Sequence, residues 1–336
     1  MSTHNSRLVL VLDFLQPGRQ LGDLMLRWSD NTNPLGYHPV PVVSLKNGNG
    51  PVVLLIGGTH GDEFEGPAAI MRIINRLNPS MMTGQIIAIP GLNAPAFQSS
   101  QRVSPLDGVN LNRAFPGDCD GGPTAMLAHF VETELMPRCD AVIDLHSGGK
   151  ASVFATCALA TRTKDIALRA KNYALARAFG LPLIWVLGEN NDDRSVNAAA
   201  ERVGVPMIAA ELGGGGGVDP HVTDQAEEGL LRCLDYLGVI AHEAMPHNTP
   251  TYLETGSPRQ SLFAPSDGLF DRAVSAGQTV QSGDFAGCFH FPMEPSRSSL
   301  SLKFSETGFV LAHCARGLVR RGELLALIAN PICEGT

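Results

Sequence analysis

No stretch of the 336-residue chain approaches the roughly 20 consecutive apolar residues that a helix needs to cross a bilayer. Nor is there an excess of basic charge. The 25 lysines and arginines stand against 33 aspartates and glutamates, and the formal net charge of −8 leaves no electrostatic footprint for a nucleic acid or an anionic membrane surface. A C-x-x-C pair is missing too. The seven cysteines are scattered and odd in number, which fits reduced, buried thiols better than a disulfide framework or a cysteine zinc site and points to the cytoplasm. Residues 8–15 are apolar, but the run is short, contains Asp13 and leads to no small-residue cleavage site, so a strand is expected there instead of a signal peptide. Glycines 213–217 raise a phosphate cradle, yet neither G-x-x-x-x-G-K-S/T nor a G-x-G-x-x-G opening a helix is met, which discounts a nucleotide site.

What the chain does have is alternation. Short, β-rich apolar runs lie at 52–56, 85–90, 140–145, 183–187 and 206–210, and helical spacing fills 64–77, 124–135, 164–179, 195–203 and about 223–243. Gly180 and Pro246 mark helix ends. This order predicts a mostly parallel sheet with helices on both faces, and the length suggests about two domains. From 248 on, the composition shifts to short strand-like segments punctuated by Gly, Pro and Ser. There Ser266-Asp267-Gly268-Leu269-Phe270 and Glu306-Thr307-Gly308-Phe309-Val310 open two halves of a repeat of about 40 residues. The expected division is 1–247, with a β extension over 1–50, and a β-rich 248–336 resembling the biotinyl or lipoyl carrier sandwich. Lys303, the only lysine of that region, falls on an expected strand and not at the hairpin joining the halves, so a covering role is expected instead of a carrier role.

The chemistry concentrates at strand ends. Gly57-Gly58-Thr59-His60-Gly61-Asp62-Glu63 follows the first central run, and Asp144-Leu145-His146-Ser147 ends another. A near pair of ligands plus one distant histidine is the His₂Glu set that leaves zinc a fourth position for water, and ligands of open α/β sheets bind at the carboxyl ends of strands. Asp144 can accept the outer N–H of His146 and fix its tautomer. Taken singly, Asp62 or Glu63 can be a helix cap and His146 a hydrogen-bonded loop histidine. Glu211 ends the 206–210 run and can act as the base toward a zinc-activated water. In the irregular segment 102–117, Asn112 and Arg113 are candidates to clamp a carboxylate, and Arg102 to polarise a carbonyl. Pairing of these arginines with Asp107 or Asp118 is the competing reading.

Together, Gly58-Thr59-His60-Gly61-Asp62-Glu63, Asn110-Leu111-Asn112-Arg113-Ala114-Phe115-Pro116-Gly117, Asp144-Leu145-His146-Ser147-Gly148 and Glu211-Leu212-Gly213 resemble the succinylglutamate desuccinylase/aspartoacylase family of zinc deacylases, relatives of the metallocarboxypeptidases. The resemblance implies an α/β fold with a zinc-carboxypeptidase-like sheet and a small terminal β unit walling the site. It also implies one zinc per chain on His60, Glu63 and His146, Glu211 as general acid/base, Asn112 and Arg113 on the substrate carboxylate, and Arg102 on the carbonyl. Within the family, Gly61-Asp62-Glu63-Phe64-Glu65-Gly66 and Glu211-Leu212-Gly213-Gly214-Gly215-Gly216 resemble the bacterial N-α-acetyl-L-2,4-diaminobutyrate deacetylases of ectoine breakdown, from which Thr59 departs where asparagine is expected. The expected partner is thus a small N-acyl amino acid, with no nucleic acid and no membrane; a homo-oligomer stays open. The alternatives are a metallocarboxypeptidase acting on peptides and, ranked lower, a binding protein with a relict zinc site.

Overall fold

The computed structural model describes residues 6–31, 33–188, 191–243 and 249–334. Among these, one large mixed sheet runs in the spatial order Val9–Leu10, Gly18–Leu26, His38–Asn47, Gly84–Ile89, Val52–Gly57, Ala141–His146, Met207–Glu211, Cys157–Thr161, Leu183–Leu187, Thr251–Glu254, Leu324–Pro331, Gly308–Cys314 and Thr279–Val280. Its centre is parallel: Val52–Gly57 lies parallel to Gly84–Ile89 and to Ala141–His146, which lies parallel to Met207–Glu211. Strands buried on both faces need apolar residues at every position, and this is why they read as unbroken aliphatic runs. Successive side chains then divide between two cores. Leu54, Ile56 and Val142 pack with Leu127, Phe130 and Ala199, whereas Leu55 and Ile143 pack with Ile70, Ile73 and Leu230 on the other face.

The helices cover both faces, as expected, with corrected ends. The Ile166–Phe179 helix begins after Asp165, whose carboxylate accepts the N–H groups of Ala167 and Leu168, and stops at Gly180, with φ of 81°. The helix expected over 223–243 spans Pro220–Tyr236. Asp219 caps it, Pro220 suits its first turn, and Gly238, with φ of 76°, turns the chain away after it. Pro246 and the expected division at 247/248 lie outside the described residues. The 124–135 stretch is an α-helix over Pro123–Phe130 that loosens into a π turn over Val131–Leu135. Of the strand expected over 8–15, only Val9–Leu10 pairs. None of the described helices is long and apolar enough to cross a membrane.

Two strands escaped the sequence pattern, Ser152–Phe154 and the buried, alanine-containing Cys157–Thr161. Alanine is a poor strand former in isolation, and here the antiparallel partner Met207–Glu211 overrides it. The repeat is realised strand for strand. Leu300–Lys303, Phe285–His290, Gly268–Arg272 and Leu318–Val319 form a four-stranded sheet. The equivalent strands Ser261–Phe263, Leu324–Pro331, Gly308–Cys314 and Thr279–Val280 join the large sheet. Lys303 lies on a strand, opposite Phe285. Leu253 pairs with Pro331, and His313 with Val153, so the β-rich segment is hydrogen-bonded into the sheet beside the site.

Candidate metal centre and carboxylate clamp

The Val52–Gly57 strand gives way to the Glu65–Arg76 helix through a corner that only glycine can make. Gly58 has φ of 65°, and a Cβ on Gly61 would stand 2.0 Å from the carbonyl carbon of Ala96. The corner turns His60 and Glu63 inward. His146 arrives from the end of its own strand, with Glu211 directly beside it in register.

All three expected ligands converge. The Glu63 carboxylate meets His60 Nδ1 through Oε1 at 2.7 Å and His146 Nδ1 through Oε2 at 2.8 Å, and the three residues are buried. Their outer nitrogens are held as well. His146 Nε2 meets Asp144 Oδ2 at 2.8 Å, and Asp144 accepts the Thr59 hydroxyl at 3.1 Å; His60 Nε2 meets Asn110 Oδ1 at 3.1 Å. A carboxylate between two imidazoles whose far sides are fixed is the donor set zinc takes when one position must stay open.

Electrostatics separate the two histidines. Burial lowers the pKa of His60. Burial opposes charge on His146 too, but Asp144 and Glu63 raise it well above the usual histidine value. Glu63 is held below the carboxylate range by both histidines, against the effect of its burial. Glu211 moves the other way, pushed up to about 8 by burial and by the nearby Glu63 charge. Although the residue borders the cavity, its Oε2 is sealed from solvent and has no hydrogen-bond partner among the described residues. A carboxyl with one oxygen buried and a pKa raised toward neutrality can exchange a proton with a group in the adjoining cavity.

His60, Glu63, Arg102, Asn112, Arg113, His146 and Glu211 all line one cavity of about 430 Å³. Arg102 reaches Glu63 Oε1 at 3.2 Å. The Arg113 Nε pairs with Asp192 at 3.0 Å, and Asn112 Oδ1 accepts the Val196 N–H at 2.9 Å. The arginines therefore pair with neither Asp107 nor Asp118, and Asp107 instead accepts from Thr124. The far wall is apolar, with Phe154 and Trp185 stacked 6.3 Å apart beside Leu159 and Leu187. Sequence reasoning missed Asn110, Asp192 and this wall. Asn110 alone left a trace, standing two residues before Asn112.

Residues 49–237 match the Succinylglutamate desuccinylase/Aspartoacylase catalytic domain. The N-alpha-acetyl-L-2,4-diaminobutyric acid deacetylase of Halomonas elongata is 32% identical over 324 residues, which cover 96% of this chain and 94% of that protein. Among solved structures, the product-bound ectoine utilization protein EutE (DoeB) from Ruegeria pomeroyi superposes with a TM-score of 0.92 at 30% identity, covering 96% of this chain and 98% of that one. A succinylglutamate desuccinylase/aspartoacylase from Rhodobacter sphaeroides gives 0.91 at 33% identity, covering 97% and 100%.

Proposed function

The chain belongs to the succinylglutamate desuccinylase/aspartoacylase family of amide hydrolases, and from that premise we propose that it removes a short acyl group from the amine of a small N-acyl amino acid. The name of the Halomonas elongata relative suggests N-α-acetyl-L-2,4-diaminobutyrate as the substrate, and the name of the Ruegeria pomeroyi ectoine utilization protein suggests a place in ectoine breakdown. His60, Glu63 and His146 would hold one zinc ion per chain. When bound, zinc acidifies the attacking water, polarises the amide carbonyl and, by its charge, favours the ionised form of Glu211 against the upward shift it has in the metal-free site.

The remaining work falls to the chain's own side chains. Glu211 takes the proton of the attacking water and returns it to the departing nitrogen, so the products are a carboxylate and a free amine. Arg102 adds positive charge where the carbonyl oxygen becomes anionic. Arg113, with its Nε on Asp192 and one Nη on the Asn112 carbonyl, offers its remaining N–H groups to the substrate carboxylate beside Asn112. Among the described residues, Arg102 and Arg113 are the only basic side chains lining the cavity apart from the two histidines, which supports a substrate with one carboxylate and a small neutral acyl group. In this reading 1–247 is the catalytic part, and 248–336 backs the apolar wall of the cavity, with Thr255 lining it.

The observation that carries the proposal is the Glu63 carboxylate set between two imidazole Nδ1 atoms, with Glu211 lining the same cavity and its Oε2 without a partner among the described residues. Metal analysis and a screen of N-acetyl, N-succinyl and N-aspartyl amino acids against peptides test it. The expected result is about one zinc per chain and preferred release of acetate from N-α-acetyl-L-2,4-diaminobutyrate. An active metal-free preparation, or turnover of peptides alone, would overturn it.

A further inference from the structure

Asn110 places one oxygen atom between two parts of the site that are otherwise separate. Its Oδ1 accepts the backbone N–H of Asn112 at 2.9 Å and also meets His60 Nε2 at 3.1 Å. A backbone N–H can only donate, so the atom facing it must be the carboxamide oxygen and not the nitrogen. That assignment carries to the histidine. The Nε2 facing the same oxygen must bear its proton, which leaves Nδ1, the nitrogen turned toward Glu63, as the one that can offer a lone pair to a metal. Leu111, the next residue, is completely buried and anchors the turn from which Asn110, Asn112 and Arg113 project.

The other histidine is held differently. His146 Nε2 rests on a carboxylate, Asp144, which is supported by Thr59 and has no bond to the clamp. On the His60 side, by contrast, the same Asn110 oxygen holds both the ring and the backbone of Asn112. Asn112 in turn is tied to the first turn of the Val196–Val203 helix, and its carbonyl accepts Arg113 at 2.5 Å.

We propose that Asn110 is a positioning residue coupling the His60 ligand to the carboxylate clamp, one amide oxygen fixing the imidazole tautomer and the placement of Asn112 and Arg113. The proposal rests on the zinc-deacylase reading above. Two variants test it, with zinc affinity measured by chelator competition and KM measured on an N-acetyl amino acid. Asn110→Ala should weaken zinc binding by roughly 10- to 100-fold and raise KM at saturating zinc, so that both readouts move. Asn110→Asp keeps an acceptor for both donors, and it should hold KM near the wild-type value with zinc bound at least as tightly. If Asn110→Ala changes only one readout or only thermal stability, or if Asn110→Asp fails to restore both, the coupling is wrong. Wild-type protein that binds no zinc would overturn the deacylase reading as well, whereas a normal wild type beside an indifferent Asn110→Ala overturns the coupling alone.

Discussion

At Glu211 a single side chain carries two separable consequences. In the proposed role of proton carrier it would lose and regain a proton each turnover, so Glu211→Gln should keep zinc and lower turnover by about 100-fold or more in steady-state assays. Near-normal turnover would remove Glu211 from the role. The second consequence concerns stability. A carboxyl whose pKa is higher in the folded than in the unfolded chain favours folding when protonated. In metal-free protein that contribution is full below the ordinary value of 4.5 and is lost as pH rises through about 8. Melting temperatures of the metal-free wild type should fall across this window, and those of Glu211→Gln should fall less; parallel curves would refute the raised pKa. For Arg113 the question is geometry. Lysine keeps the charge but not the planar fork, so Arg113→Lys should lower kcat/KM by roughly 10- to 100-fold on a free α-carboxylate substrate and far less on its amide. Equal losses on both would end the clamp assignment.

The elements that present these residues depend on close backbone approach. The Glu65–Arg76 helix lies so near the Ala141–His146 strand that a Cβ on Gly66 would stand 2.5 Å from the Leu145 Cβ and 2.7 Å from its carbonyl oxygen. Neither neighbour is a flexible side-chain end. Gly66→Ala should therefore push the helix off the strand, costing about 1–3 kcal/mol in urea denaturation and disturbing the spacing of Glu63 and His146. Gly217 makes the control, since a Cβ there meets none of the described residues within 4 Å, and Gly217→Ala should leave stability unchanged within error. If the two variants were equally stable, tight helix-to-strand packing would not be what sets the ligand spacing.

Across the whole molecule, the repeat-built C-terminal segment supports the cavity from behind. Leu311 and Ala329 form one apolar cluster with Cys157, Leu159, Ala209 and Leu253, and Phe154 and Trp185 pack against it. Leu311→Ala should cost about 2–5 kcal/mol and raise KM while zinc content stays near one per chain. Lost stability with unchanged KM would mean that the segment braces the fold without shaping the cavity.

Much of the site was legible in the sequence because its logic is partly local. Apolar runs longer than turns and shorter than helices announce parallel central strands, and such strands deliver whatever follows them to one edge. The order of runs alone thus assigns His60, Glu63, His146 and Glu211 to a common edge. The repeat was legible for the same reason, since equal local patterns about 40 residues apart fold alike. What tertiary structure alone decided were the pairings between residues remote in sequence. Asn110 on His60, Asp192 on Arg113 and the Cys157–Thr161 strand against Met207–Glu211 leave no periodicity behind. A hydrogen bond depends on a separation of about 3 Å in space and is indifferent to separation along the chain, so it appears only when the sheet has brought its two ends together.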